Sequence, residues 1–320
     1  RNKMVPLVSN KYPFESEQWS TWLAAENPQL EGKWILSGHM PGKGYFSATM
    51  KVAQNKKDYY SLNIDGEYVN GEKIKGTGSS VVYTGYEWRG NINFDDISLR
   101  QTFAASPDGQ TLTGRFYKKG QELVAMKVTA IKDATKTKIL SVYPNHIKKG
   151  ETKTLILTGV GLSASLNLPS SFVVNKIISQ NKNRLVVNIT AKDNASIGYA
   201  DIKIGEAKLA NQLAIYKQIN ALEVIPSYGV SRIGDNGGST PKTETLFRAV
   251  GIDYGKDGIA NTEDDINLGY IEEVTWEVVP RDDIAKKDND VKFAGKMNTN
   301  TGLFSPANAG PNPKRYRSTN

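Results

Sequence analysis

Short segments that alternate apolar and polar residues recur through residues 31–131, and turn-forming residues separate them. Eight such segments follow one another at a spacing of roughly twelve residues, with no helical period between them. The separating turns include NKKD at 55–58 and PDG at 107–109. A sheet of many short strands avoids exposed edges by closing on itself. The pattern therefore predicts an antiparallel β-barrel over residues 30–134.

The interior of the predicted barrel has two interpretations. A barrel of about eight strands can be filled by its own side chains or hold one small ligand, and we favour the filled interior. The segment YTGYEWRG, residues 83–90, bears on the same question. Tyr86, Trp88 and Arg89 have the composition of a protein interface, but aromatic residues also fill barrels. We predict an interface at these three residues and keep the barrel-filling interpretation beside it.

Two further all-β domains are predicted after the barrel. Residues 139–162 read as a strand, a Pro-Asn turn, a Lys-Lys-Gly turn and a strand ending in TGVGL. This order resembles the immunoglobulin-like IPT/TIG module, so we expect such a domain over 137–217. The third unit, 219–320, places Trp276 in an alternating segment, as in the core strand of a second immunoglobulin-like β-sandwich. We expect that sandwich to be incomplete at its C-terminal end.

One short helix is predicted, near the N-terminus. Pro13 and Pro28 bracket it, and Trp19, Trp22 and Leu23 form one apolar stripe at helical spacing. Two tryptophans on one stripe require a surface to pack on. We therefore interpret residues 1–29 as the helical tail of a missing N-terminal domain.

The segment GHMPGKG, residues 38–44, resembles a phosphate-binding loop only superficially. A Walker loop needs four residues before its Gly-Lys pair, a Ser or Thr after the lysine, and then a helix. Here three residues intervene, Gly44 follows Lys43, and the next segment alternates as a strand does. We predict a hairpin turn that serves as a contact surface.

Composition excludes several functional classes. The 320 residues contain no cysteine and only two histidines, which rules out disulfides, thiolate zinc sites and Cys-linked haem in this chain. The net charge of +8 is not concentrated in a stripe with interleaved aromatics, so we expect no nucleic-acid partner. No apolar run approaches the ~20 residues of a membrane span. We assign no catalytic and no cofactor-binding residue.

Acidic residues are densest in DYGKDGIANTEDDINLG, residues 253–269. Calcium takes six to eight oxygen ligands, and Asp253, Asp257, Asp264 and Asp265 are the candidate ligands. The spacing is not that of an EF-hand, and Asp and Asn residues also stabilise turns without any metal. Both interpretations, a calcium site and a turn, remain open at this stage.

The order of several unusual strings makes the chain similar to one family, the alpha subunits of quinohemoprotein amine dehydrogenase. The strings are GKWILSGHMPGKGYFSATM, YTGYEWRG, the 139–162 segment, SRIGDNGG, GKDGIANTEDDINLG and TGLFSPANAGPNPKR. The resemblance implies a periplasmic complex. Its other parts would be an N-terminal di-haem cytochrome domain, a propeller beta subunit and a small gamma subunit that carries cysteine tryptophylquinone.

This chain departs from the family pattern because it lacks the cysteines that bind haem. We therefore expect haem c and the quinone elsewhere in the complex, and a structural and interface role here in support of electron transfer. The alternative is an extracytoplasmic binding or adhesion protein built from the same modules and without amine oxidation.

Overall fold

The computed structural model of this chain describes residues 29–56, 58–82, 87–134, 136–234, 240–308 and 312–315. Strands account for 57% and helices for 6%, so the predicted all-β fold class is confirmed. The helix predicted in 12–28, with Trp19 and Trp22, lies outside the described residues.

The first unit is a closed antiparallel barrel whose eight strands, among the described residues, pair in chain order, with β8 returning to β1. Because Lys132 pairs with Trp34 and Gly38 pairs with Val128, the barrel has no open edge along this seam. Its strands are β1 Gly32–Met40, β2 Gly44–Lys56, β3 Tyr59–Tyr68, β4 Lys73–Val82, β5 Glu87–Phe94, β6 Ile97–Ala105, β7 Thr111–Tyr117 and β8 Met126–Lys132.

Aromatic rings fill the barrel interior. The Phe94 and Phe116 ring centroids are 5.8 Å apart, those of Phe103 and Phe116 5.7 Å, and those of Trp88 and Phe103 6.0 Å. Each ring is fully buried, which contributes about 1.5–3 kcal/mol per side chain to folding. The interior is therefore a packed core, as the filled-barrel interpretation expected.

Closure brings neighbouring strands very close at Gly114 in β7. A Cβ atom there would lie 1.9 Å from the carbonyl oxygen of Thr102 in β6. Any side chain would push the two strands apart, so the barrel requires glycine at this position.

The second unit packs two four-stranded sheets face to face. One sheet has the order β10-β16-β15-β12 and the other β13-β14-β11-β9. Leu157, Leu185 and Ile202 belong to the core between them and are fully buried. The strands are β9 Lys138–Tyr143, β10 His146–Lys148, β11 Thr152–Val160, β12 Leu166–Asn167, β13 Phe172–Gln180, β14 Arg184–Ala191, β15 Gly198–Ile204 and β16 Ala207–Tyr216.

The described residues of the third unit form two three-stranded sheets, β17-β19-β20 and β18-β22-β21. Two short helices, α1 Asp283–Asp288 and α2 Val291–Ala294, precede the last two strands. Asp282 starts α1 by accepting a hydrogen bond from the Ala285 amide at 2.7 Å. The strands are β17 Ala221–Ile225, β18 Thr245–Leu246, β19 Arg248–Asp253, β20 Ile266–Ile271, β21 Gly295–Met297 and β22 Leu303–Pro306.

The sequence-based placement of Trp276 in a strand is wrong. β20 ends at Ile271, and Trp276 lies in an irregular, half-buried segment whose amide donates a hydrogen bond to the Thr299 carbonyl at 2.9 Å. The apolar residues around Trp276 alternate because the chain is extended there and partly buried against the third unit. This extended segment does not pair with a strand of either sheet.

Candidate functional site

The hairpin between β1 and β2 carries the GHMPGKG segment to the place where the barrel meets the third unit. The Lys43 amide closes the turn on the Met40 carbonyl at 3.0 Å, and Gly42 and Gly44 adopt φ angles of +81° and +90°. Only glycine takes such angles without strain, which explains two of the glycines in this segment. The turn thereby presents His39 to residues more than 200 positions away in the chain.

His39 forms hydrogen bonds through both of its ring nitrogens. An Arg248 Nη1–H donates to Nδ1 at 3.0 Å, and Nε2 contacts the Glu272 carboxylate. A guanidinium can only donate, so Nδ1 must accept and the ring proton must be on Nε2, which donates to Glu272. The histidine thus joins β19 and the residue that follows β20 to the barrel.

The charge state of His39 follows from its surroundings. Burial, and then the positive charge of Arg248, lower the pKa of His39 to about 4. The ring is therefore neutral at pH 7, and its contact with Glu272 is a hydrogen bond to a carboxylate and not an ion pair. Burial also lowers the pKa of Arg248, whose guanidinium lies over the Tyr270 ring at 4.7 Å.

Glu272 connects this contact to the second unit. Its other carboxylate oxygen accepts a hydrogen bond from the Tyr143 hydroxyl, and burial and this carboxylate raise the pKa of Tyr143. The Tyr143 ring stacks on Tyr45 of the barrel, with centroids 4.7 Å apart and an angle of 3° between the planes. One carboxylate therefore bonds side chains from two other domains.

Tyr45 continues the connection into β11. The hydroxyl oxygens of Tyr45 and Thr158 are 2.5 Å apart and share a hydrogen bond, and Ser141 lies 3.0 Å from the same Tyr45 oxygen. Thr158 is fully buried. Burial raises the pKa of Tyr45, which keeps the phenol neutral.

Apolar contacts surround these polar ones. Ile35 and Ile131 of the barrel form a small buried cluster with Val160 of the second unit. Ala214 of the second unit forms another with Leu268 of the third. We call the combined contact of the three units the triple junction.

The triple junction borders a cleft of about 290 Å³ lined by residues of the barrel and the third unit, including Lys43, Tyr270, Trp276 and Thr301. Lys43 is not available to a ligand as an isolated cation, because it pairs with Glu72 at 2.7 Å and Asp95 at 2.9 Å. Both nitrogens of His39 are likewise occupied. The arrangement cross-links domains, and among the described residues that line the cleft no nucleophile is paired with a general base.

Of the four predicted calcium ligands, Asp253 ends β19 and the other three lie in the loop that follows, and their oxygens accept hydrogen bonds from the protein. Buried Asp253 accepts from the amides of Lys217, Gln218 and Gly255, which ties the interdomain linker to the third unit. Among the described residues no group of three or more His, Cys, Asp or Glu side chains is arranged to hold a metal. The calcium site stays a prediction.

The other three candidate ligands are held by the turns of their own loop. Asp257 accepts from the Ile259 amide at 2.8 Å, and Asp265 accepts from the Asn261 amide at 2.8 Å. Hydrogen bonds from the Thr262 hydroxyl and from backbone amides lower the pKa of Asp264. These are the contacts expected when acidic residues stabilise turns.

The predicted interface residues divide between two environments. Trp88 is fully buried in the barrel core, so its ring fills the barrel, which was the alternative interpretation of this residue. Arg89 lies on the outer surface beside Glu87, with Nε 2.6 Å from the carboxylate. Tyr86 lies outside the described residues. An interface at Tyr86 and Arg89 stays a prediction.

Family comparison identifies all three units in the same order. Models for domains II, III and IV of the alpha subunit of quinohemoprotein amine dehydrogenase match residues 27–133, 136–217 and 222–320. The chain belongs to the quinohemoprotein amine dehydrogenase alpha-subunit family. A comparison with curated proteins finds no match.

Solved structures similar to this alpha-subunit chain include two designed barrels. One is a redesigned β-barrel, mFAP1, bound to DFHBI, with 16% identity and a TM-score of 0.27, covering 32% of this chain and 94% of its own. The other is a de novo designed fluorescence-activating β-barrel, with 19% identity and a TM-score of 0.27, covering 32% of this chain and 93% of its own.

The alpha-subunit family implies haem c, but the residues present do not fit it. Covalent attachment of haem c requires cysteine thioethers, and this chain has no cysteine. A cysteine tryptophylquinone cannot form in it for the same reason. Among the described residues, no helix is long and apolar enough to cross a membrane.

Sequence reasoning missed Arg248, Glu272 and Tyr143, the partners of the GHMPGKG hairpin in this alpha-subunit chain. Nothing in their local sequence marks them, because their hydrogen-bond partners in the triple junction lie 129 to 233 residues away in the chain. The prediction of a contact surface at residues 38–44 was the nearest available signal.

Proposed function

We propose that this chain is the non-haem, structural and subunit-interface part of the alpha subunit of a periplasmic quinohemoprotein amine dehydrogenase. The observation that carries the proposal is the match of domains II, III and IV in consecutive order. In this role the chain supports electron transfer from amine oxidation without holding a redox centre. The quinone of a small gamma subunit oxidises the amine, and a di-haem domain receives the electrons.

The triple junction supports a scaffold role. Hydrogen bonds through His39, Glu272 and Tyr45 connect three domains, and both ring nitrogens of His39 and both carboxylate oxygens of Glu272 have partners within the chain. Such an arrangement holds domains in a defined relation and leaves chemistry to other parts of a complex.

An exposed apolar segment at 219–233 supports an interface role. Leu222, Val224, Tyr228 and Val230 are all exposed, with Tyr228 at 80%. Contiguous exposed apolar residues mark surfaces that another protein covers. We therefore expect a partner, such as the propeller beta subunit or the quinone-bearing gamma subunit, on this side of the third unit.

The experiment is reconstitution. The purified chain is mixed with separately purified beta and gamma subunits and analysed by size-exclusion chromatography with light scattering. We expect a complex to form. The chain alone should show no Soret absorbance and should not oxidise primary amines with an artificial electron acceptor.

Two results contradict the proposal. Amine turnover by the chain alone would mean that it carries a redox centre. Failure to associate with either subunit, with a folded chain confirmed by circular dichroism, would favour a binding protein that shares these domains without taking part in amine oxidation.

A further inference from the structure

Arginine residues gather on the outer surface of β5, β6 and β7. Strand register places Arg89 opposite Thr102, and Thr102 opposite Arg115. In the neighbouring row Arg100 lies opposite Tyr117. Adjacent strands are about 5 Å apart, so three guanidinium groups share a small area of one sheet face. We call Arg89, Arg100, Arg115, Thr102 and Tyr117 the arginine face.

Negative charge on this face is sparse. Glu87 pairs with Arg89, at 2.6 Å. No carboxylate of the described residues forms an ion pair with Arg100 or Arg115, and the Arg115 guanidinium instead lies over the Tyr117 ring at 5.2 Å. Lys127 of β8, exposed and opposite Arg115, adds a further cation to the row. The face therefore carries an excess of positive charge.

Some other cations of the barrel and the second unit are paired with carboxylates. Arg184 of the second unit pairs with Glu67 of the barrel, and Lys43 pairs with Glu72 and Asp95. By contrast, no hydrogen bond or ion pair among the described residues joins Arg100 or Arg115 to the second or third unit.

The contacts that the described residues of the other two units make with the barrel do not include the arginines of the arginine face. Among the described residues, the second unit contacts β1, β2 and β8 through residues such as Ile35 and Tyr45, and β3 through Glu67. The third unit contacts the segment after β7 through Gln121. In a closed eight-strand barrel, β5 and β6 lie on the opposite side from β1. A groove of about 510 Å³ runs along the arginine face, with Tyr59 and Asn91 also in its lining.

We propose that the arginine face binds an acidic segment of a partner protein. The proposal rests on the proposed function, because it assigns the partner to the same multisubunit complex. Guanidinium groups bind carboxylates through two parallel hydrogen bonds, which a lysine cannot do. Arginine and tyrosine are also the side chains enriched in the energetic centres of protein interfaces.

Other anionic partners fit less well. The face spans two rows of side chains, whereas a nucleic-acid site would continue as a basic stripe with aromatics placed for stacking. With Lys127 the face has four cations, the lower end of a membrane-binding cluster, but a membrane surface also favours exposed apolar residues for insertion. The outer residues of β5 to β7 are mostly polar. A carboxylate-bearing protein segment matches both the charge and the geometry.

The probe is a fluorescein-labelled peptide in which four glutamates alternate with glycine and tyrosine. Its binding to the whole chain is measured by fluorescence anisotropy. We expect saturable binding that weakens as salt is added. The double substitution Arg100→Glu/Arg115→Glu should reduce the affinity at least tenfold. The control is Lys51→Glu/Lys176→Glu, which makes the same change of net charge at exposed sites elsewhere on the chain. This control should change the affinity for the peptide less than twofold.

Several results overturn the proposal. Equal loss of affinity in both double variants would mean that net charge alone attracts the peptide. Binding of phosphatidylserine vesicles that depends on Arg100 and Arg115, without binding of the peptide, would assign the face to a membrane. Absence of peptide binding at low salt would exclude an acidic ligand. Unchanged thermal melts confirm that each variant is folded.

Reconstitution separates this inference from the proposed function. If the beta and gamma subunits bind the wild type and Arg100→Glu/Arg115→Glu equally, the complex exists but the arginine face is not its interface. If the peptide binds through the face and the subunits do not bind at all, the face recognises acidic segments and the proposed function fails.

Discussion

An Arg248 N–H donates to Nδ1 of His39 at 3.0 Å, and this one hydrogen bond fixes the protonation of a ring shared by the barrel and the third unit. Protonation of His39 would remove the acceptor and place two cations in contact. The triple junction is therefore sensitive to acid in a way that can be measured.

We predict that His39 makes the folded state less stable in acid. Its pKa is about 4 in the folded chain and about 6.5 when unfolded, so between these values the unfolded chain binds more protons. Stability is present above pH 6.5 and is lost as the pH falls towards 4. The expected loss between pH 7 and pH 4.5 is about 2 kcal/mol.

The loss of stability can be measured by urea unfolding of the wild type and of His39→Gln at pH 7 and at pH 4.5. Glutamine can accept from Arg248 and donate to Glu272, but it does not titrate. Between pH 7 and pH 4.5, the unfolding free energy of the variant should therefore fall by about 2 kcal/mol less than that of the wild type. Burial also lowers the pKa of His146, but that residue is present in both proteins and cancels. Identical pH dependence in the two proteins would contradict the assignment.

Removing the hydroxyl of Tyr45 should weaken the contact between the barrel and the second unit. Tyr45→Phe leaves the buried Thr158 hydroxyl without this partner, at a cost of about 1–3 kcal/mol in unfolding free energy. Tyr59→Phe removes the same atom from an exposed ring and should change stability by less than about 0.5 kcal/mol. Denaturant unfolding compares the two, and equal effects would refute the role of Tyr45.

A polar pair inside the barrel should be replaceable by apolar residues. Ser80 donates to Gln101 Oε1 at 3.0 Å, and Gln101 Nε2 is buried with no hydrogen-bond partner among the described residues. Ser80→Ala alone leaves both amide atoms of Gln101 without partners and should cost about 1–3 kcal/mol. Ser80→Ala/Gln101→Met should recover the wild-type melting temperature or exceed it. A double variant less stable than the single one would show that the pair stabilises the core.

Calcium titration decides between the two interpretations of the 253–269 loop. Since backbone amides already bind Asp253, Asp257 and Asp265, we expect the melting temperature to be the same in chelator and in calcium. A calcium site would instead stabilise the fold by about 2.7 kcal/mol at a hundredfold excess over Kd. In that case Asp264→Asn should abolish the rise.

The barrel could be predicted from sequence because its determinants are local. Alternation with period two and turn residues such as those of 55–58 specify each strand and its reversal within a few residues. The prediction failed at Trp276 because an extended segment alternates in the same way whether or not a neighbouring strand pairs with it. Two helices at 283–294 were also missed, since both are too short to show a helical period.

The sequence by itself determined the all-β class, the order of the units and the absence of cysteine chemistry, because these depend on composition and on residues close together in the chain. Only the tertiary structure decided the partners of His39, which lie 209 and 233 residues away. It also decided which arginines remain on an open surface. The partners of His39 and the exposure of the arginines depend on how the folded domains pack against each other. That packing cannot be predicted from a local sequence pattern.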